Sequence, residues 1–205
     1  MRGVQMTNLS YDQILSTAVD GEKIKYGILF GNEKIVFIKV GADGNIRGYQ
    51  DKYLRMAHRV HARIGATVIC ASNPYIDESI HLKKDKTLIN KVIAERGFEN
   101  YEMYFVGTSD GGYHSLLLAQ QFTRTVKYLG INSSHKGIED FSERILSLSQ
   151  VKKILVYGRN DEDFDKDFPT MNALACDNLE IVVLNGVDHD FTDKVDVFIA
   201  LIDLI

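Results

Sequence analysis

The chain has 205 residues, 45% hydrophobic and 25% charged, which suits a single domain with a full core. A formal net charge of −4 and an isoelectric point near 5.9 give no electrostatic reason to bind nucleic acid or an anionic membrane. No apolar stretch approaches bilayer length and the N-terminus has no apolar signal core, so a cytoplasmic location is expected.

In chain order, residues 1–20 are polar and weakly periodic, with a short helix expected around Tyr11–Ala18. Ile24–Phe30 and Lys34–Val40 are strand-like runs flanking Gly31-Asn32-Glu33, the pattern of a hairpin. Strands and helices then alternate. A helix near Gly48–Ile64 leads to strand Ala66–Ala71, and one near Glu78–Gly97 leads to strand Glu102–Val106. A helix running to about Phe122 precedes strand Thr125–Ile131, and a helix near Ile138–Leu148 precedes strand Lys153–Tyr157. A helix near Phe168–Cys176, strand Glu180–Leu184 and a C-terminal helix complete the chain. Apolar runs such as Ile-Leu-Val and Ile-Val-Val belong to a parallel sheet buried on both faces. The expected fold is α/β: a three-layer αβα sandwich over residues 1–205, mostly parallel, with an antiparallel edge hairpin. Cys70 in an apolar strand and Cys176 in a later helix have no metal or redox spacing, and free thiols are expected.

The most informative segment is Gly107-Thr108-Ser109-Asp110-Gly111, between a strand and a helix. Gly-x-Ser-x-Gly in that setting is a nucleophile elbow: a tight turn lifts the serine clear of the sheet, and the glycines admit neighbouring backbone. Such a serine needs a base, and the base needs an orienting acid. Gly158-Arg159-Asn160-Asp161 follows one strand and Gly186-Val187-Asp188-His189 another, so each partner lies just past a strand's carboxyl end. In a parallel sheet those ends share one edge.

The chain thus resembles a small α/β-hydrolase-fold serine hydrolase, from about residue 24 to the end, with the family's order Ser…Asp…His. The resemblance implies Ser109 as nucleophile, Asp161 as acid and His189 as base, with Asp163 in reserve for the acid. It also implies an oxyanion hole from the backbone N–H of Asp110 and of Gly41 or Ala42, Ala42 preferred. The family often has His-Gly where this chain has Val40-Gly41, which leaves the second donor open. Almost no chain is available for a lid between Ser109 and Asp161, so an open site and short acyl groups are expected.

Asp43, Asp110 and Asp188 are candidates for an acidic pocket mouth favouring neutral or cationic substrates, although a carboxylate beside a helix start is more often simply solvated. His135, after the strand ending at Ile131, is a candidate pocket residue. The acidic run from Asp161 to Asp167 invites a calcium reading but fails it: Lys166 stands where the loop needs Gly, and Asn172 where it needs Glu. His58 and His61 form a surface pair without a third ligand, and His114 is expected to pack or cap. No metal or organic cofactor is implied, and the expected partner is a small acyl compound. The rival reading is a non-catalytic accessory protein of the same fold. Oligomeric state is not legible.

Overall fold

The computed structural model describes residues 9–19, 21–133 and 137–205. Eight strands form one sheet: β1 (Gln13–Val19), β2 (Glu22–Leu29), β3 (Asn32–Lys39), β4 (Ala66–Ala71), β5 (Glu102–Thr108), β6 (Thr125–Ile131), β7 (Lys152–Gly158) and β8 (Leu179–Leu184). Their order is β1-β2-β4-β3-β5-β6-β7-β8, parallel from β4 onward, with β1 and β2 antiparallel at one edge. Among the described residues six α-helices cover the two faces: α1 (Lys52–Ile64), α2 (Glu78–Arg96), α3 (Asp110–Ala119), α4 (Ile138–Ser147), α5 (Phe164–Asn172) and α6 (Val195–Ala200).

Side chains alternate across a strand, so each strand feeds two cores. Ile35 and Phe37 of β3 join Leu88, Leu116, Phe141 and Met171 from α2, α3, α4 and α5. Val36 and Ile38 join Leu54 and Val60 from α1 and Phe198 from α6. This is the expected αβα sandwich.

Two expectations about the N-terminal third need correction. Residues 13–19 form strand β1 and not a helix: their exposure alternates with period two from Ile14 onward. The antiparallel hairpin is therefore β1–β2, with Val19 opposite Glu22. The runs either side of Gly31-Asn32-Glu33 do not pair; β4 lies between them. The connection is drawn onto the start of β4 instead. Asn32 N–H donates to Gly65 O at 2.7 Å and Gly31 N–H to Thr67 Oγ1 at 3.0 Å, while Thr67 Oγ1 donates to Asn32 O at 2.9 Å. A Cβ on Gly31 would stand 2.2 Å from Gly65 O, so only glycine permits this crossing.

α5 begins four residues earlier than expected and ends four earlier, since Phe164 − Phe168 and Asn172 − Cys176 each give −4. Asp165 and Asp167 then occupy its first turn, where the helix dipole favours acids. Cys176 falls in the connection to β8 and not in a helix. Both cysteines are free, Cys70 fully buried.

One charged group in the first core was not anticipated. Lys39, fully buried at the end of β3, donates to Asp85 Oδ2 (2.9 Å) and Ser72 O (3.0 Å) and lies 3.0 Å from His81 Nδ1. An ammonium only donates, so His81 Nδ1 accepts and Nε2 carries the proton, given to Pro74 O at 2.9 Å. Burial, then the Lys39 charge, holds the His81 pKa below its ordinary value and keeps it neutral. Tyr26 Oη donates to Asp85 Oδ1 at 2.9 Å.

Every donor of Lys39 is used, and its charge rests on Asp85 alone. Asp85→Ala is expected to cost about 3–5 kcal/mol by leaving that charge buried and uncompensated. Urea unfolding measures this; a loss below about 1 kcal/mol would show that the pair carries little of the fold.

Candidate active site

The parallel strands β3, β5, β7 and β8 all end on one sheet edge, and each delivers a piece of the site there. Ser109 sits between β5 and α3 at φ 53° and ψ −129°, a conformation that costs a non-glycine residue about 1–3 kcal/mol. The packing around it leaves no alternative. A Cβ on Gly107 would stand 2.3 Å from Gly111 O, and one on Gly111 would stand 2.1 Å from Val40 O. Both glycines of the motif are therefore required by close backbone approach, the second against β3.

The structure brings Ser109, His189 and Asp161 into one hydrogen-bonded chain. His189 Nε2 is 2.9 Å from Ser109 Oγ, and His189 Nδ1 is 2.8 Å from Asp161 Oδ2. An ionised carboxylate only accepts, so Nδ1 carries the proton and Nε2 is left to accept from the serine hydroxyl. Asp161 Oδ1 accepts from Asp163 N–H at 3.0 Å. Asp161, not Asp163, is thus the partner of His189; the Asp163 side chain is half exposed and points elsewhere.

The Asp161 hydrogen bond raises the His189 pKa, with burial opposing it. For Asp161, burial pushes upward, but the bonds from His189 and the Asp163 N–H outweigh it and the carboxyl lies below its ordinary value. The two shifts describe one ion pair, favoured between the titrations of the acid and the imidazole.

Asn132, which sequence reasoning passed over in favour of its neighbour His135, ties the partner loops together. It is buried and held at φ 46° just past β6. Its Oδ1 accepts from Gly158 N–H at 2.8 Å, and its Nδ2 donates to His189 O at 3.0 Å and Asp188 O at 3.3 Å. One side chain thereby fixes the base of the Asp161 loop against the His189 turn. The signal in the sequence was an asparagine at a strand's carboxyl end, a residue that tolerates positive φ. His135 lies outside the described residues.

The loop after β3 is equally constrained. Gly41 N–H faces Tyr53 Oη at 3.4 Å, Asp43 N–H donates to Asn73 O at 2.8 Å, and Gly44 N–H donates to Gly41 O at 3.0 Å. Among the described residues, the Ala42 N–H finds no acceptor within the protein. Gly41 lies against Ser109: a Cβ there would be 3.5 Å from Ser109 Cβ.

Two cavities open on the Ser109–His189 pair. The smaller, about 160 Å³, lies on the Asp161 side between Asn132, Tyr157, Phe164 and Asp167. The larger, about 410 Å³, lies beside the Gly41–Gly44 loop between Tyr49, Lys52, Tyr53 and Asp190. Asp43 and Asp188 line neither, which corrects their expected place at the mouth. Asp188 turns back to accept from Thr192 N–H at 2.8 Å, and Asp43 is exposed. Asp110 Oδ2 accepts from Asn73 Nδ2 at 2.8 Å and faces a separate hollow with His114 and Glu78. The larger cavity carries a cation instead: Lys52, 9% exposed, donates to Asp190 O at 3.3 Å beneath the Phe198 ring.

The other histidines are committed locally. His58 Nε2 contacts Ser10 O at 2.9 Å, and His61 Nδ1 contacts Ala66 O at 2.8 Å. His114 is buried against His81, ring centroids 5.2 Å apart, with Nδ1 3.2 Å from Asn73 Oδ1.

No family model matches the sequence, and no curated protein matches it. Solved structures do match in three dimensions. Est1E from Butyrivibrio proteoclasticus superposes with a TM-score of 0.72 at 12% identity, over 93% of this chain and 96% of that one. The chain has the α/β-hydrolase fold. An α/β serine hydrolase homologue from Coxiella burnetii gives 0.68 at 15% identity, over 96% and 98% of the two chains. A serine hydrolase without a lid from Xanthomonas campestris gives 0.68 at 17%, over 94% and 92%. Here too, among the described residues, the connection from Ser109 to Asp161 holds only α3, β6, α4 and β7 as regular elements. Among the described residues no helix is long and apolar enough to cross a membrane.

The His189 imidazole is expected to titrate above the ordinary value of about 6.5, and Asp161→Asn should bring the midpoint down. Stability from the raised imidazole is full below about pH 6.5 and is lost as pH rises through the folded-state value. Histidine NMR titration of both proteins checks this. An unchanged midpoint in Asp161→Asn would remove Asp161 as the cause of the shift.

Proposed function

We propose that the protein is a serine hydrolase that cleaves small, short-chain esters or thioesters through an acyl-enzyme on Ser109. The observation that carries this reading is the 2.9 Å contact between Ser109 Oγ and His189 Nε2, at the end of a chain anchored on Asp161. Its neighbours in three dimensions include an esterase domain from Rhodothermus marinus and serine hydrolases, which supports hydrolase chemistry.

Ser109 Oγ attacks the substrate carbonyl carbon while its proton passes to His189 Nε2. The imidazolium so formed is stabilised by Asp161, already hydrogen-bonded to Nδ1–H. The carbonyl oxygen becomes an oxyanion, held by the N–H groups of Asp110, at the start of α3, and of Ala42, the loop N–H with no internal acceptor. Collapse of this intermediate breaks the bond to the leaving group, which takes the proton from His189. A water molecule then gives its proton to His189 and attacks the acyl-enzyme; its collapse releases the acid and restores Ser109. Gly41 does not serve as the second donor in this scheme, because its N–H is turned toward Tyr53 Oη.

Ser109→Ala is expected to lower kcat by on the order of 10³-fold or more, since nucleophile, base and acid act as a unit. A fluorophosphonate probe should label the wild-type protein and not the variant, with melting temperatures unchanged or higher as the strained serine is relieved of its polar demands. Wild-type levels of turnover in pure Ser109→Ala would remove this assignment. With no lid inserted, rates on soluble esters should fall as the acyl chain lengthens and show no jump at a lipid–water interface. A rate series peaking at long chains contradicts the open-site part of the proposal.

A further inference from the structure

A buried polar atom in a folded chain ordinarily has a hydrogen-bond partner, and each exception calls for a reason. Among the described residues two buried side-chain atoms have none: Tyr157 Oη and Asp167 Oδ1. They come from different elements, β7 and α5, and are 3% and 1% exposed. Both line the same 160 Å³ cavity, the one that opens on Ser109 and His189. Two unpaired polar atoms scattered through a core would be packing faults. Two whose residues line one cavity beside Ser109 share a feature that calls for a common explanation.

The chemistry of the surface selects its ligand. Asp167 offers an acceptor, and the phenolic oxygen of Tyr157 offers a second. Three carboxylates, Asp161, Asp163 and Asp167, line the cavity against one ammonium, Lys166. Burial pushes the Asp167 carboxyl upward, to about 6; among the charges around it Lys166 acts most strongly and lowers it, while Asp163, Asp161 and Glu139 raise it. Lys166 itself lies 3.9 Å from Asp163 Oδ1, in solvent. Lys166 also lines the cavity, but its ammonium makes no hydrogen bond to Asp167 Oδ1, and among the described residues that oxygen is without a donor. A protonated amine supplies both what is missing in hydrogen bonds and what is missing in charge.

We propose that the cavity between Tyr157 and Asp167 is a specificity site for a substrate ammonium group, which donates to Asp167 Oδ1 and Tyr157 Oη while the scissile carbonyl lies at Ser109. The inference rests on Ser109 acting as the nucleophile. It names the substrate class as short esters that carry an amine a few bonds from the carbonyl, on the acyl or the alcohol side. Asp167 and Tyr157 are binding residues; neither takes part in the bond-making steps. The acids that make the site are thus not Asp43, Asp110 and Asp188.

The test compares isosteric ester pairs in which an ammonium or protonated dimethylamine replaces an alkyl end. β-Alanine ethyl ester is set against ethyl butanoate, and dimethylaminoethyl acetate against isopentyl acetate, all at neutral pH. In the wild-type protein, kcat/KM for at least one amine ester is expected to exceed that of its neutral partner about tenfold or more, as a charge-assisted hydrogen bond requires. In Asp167→Asn the ratio should fall to about one, and in Tyr157→Phe it should fall severalfold. Neither variant should melt lower than wild type, because each replaces an unpaired buried group by a less demanding one.

Equal turnover within both pairs, or hydrolysis of the neutral esters alone, overturns this inference and leaves the hydrolase reading standing. A lower melting temperature in both variants with the amine preference intact also overturns it, by making the two groups structural. If no ester is hydrolysed and the serine is not labelled, both readings fall together.

Discussion

The close passage of helix α3 over the end of strand β3 is the constraint on which the site depends. Gly111 lies so near Val40 that a single added carbon would stand 2.1 Å from the Val40 carbonyl oxygen. This contact sets the height of the helix start, and with it the turn that holds Ser109 at positive φ. It also brings the next residue of the β3 end, Gly41, against Ser109. Ser109 and the Gly41–Gly44 loop are therefore positioned by one backbone contact, not by two independent loops. A side chain anywhere in that contact would separate them.

The remaining parts are held by polar groups that span elements. Asn132 clamps the Asp161 and His189 loops from the end of β6. Asn73 accepts from the Asp43 N–H through its carbonyl and gives its side-chain amide to Asp110, joining the Gly41–Gly44 loop to the first turn of α3. Behind it, Lys39 and Asp85 pin the carboxyl end of β3 to α2. Loops ordinarily carry the greatest mobility in a domain; here each one is cross-tied to a strand end or a helix, as a preorganised site requires.

What was legible in the sequence follows the range of the interactions involved. The parallel core could be recognised from apolar runs, and β4 and β6 match their expected bounds of Ala66–Ala71 and Thr125–Ile131. The strained turn at Ser109 was legible because its geometry is local: five residues contain both the positive φ and the glycines that permit it. The partner loops were legible because Asp161 and His189 each follow a strong strand at once. Strand order was not legible. Gly31-Asn32-Glu33 has the composition of a hairpin turn, and only the bonds to Gly65 and Thr67, more than thirty residues on, show that another strand lies between. Strand β1 was missed for the opposite reason, since its alternation is weak in hydrophobicity and its outer face is exposed. The side-chain directions of Asp43, Asp110 and Asp188 depend on partners such as Asn73 and Thr192, which no spacing rule identifies.

Asp161 and Asp167 lie six positions apart, line the same cavity and carry the same functional group, yet their environments separate them. Both are buried, which works against charge in each. Asp161 accepts from an imidazole and from a backbone N–H, and these bonds hold it ionised below its ordinary range. Among the described residues Asp167 Oδ1 has no such donor, so burial prevails and its carboxyl rises to about 6. A carboxylate whose hydrogen bonds are all internal can only orient what it already touches, and Asp161 orients His189. One whose bonds are not made internally is costly to the folded chain and remains available to something that enters. Division of labour between paired carboxylates by environment is a recurring device of active sites, and here one strand end and the helix that follows supply both members.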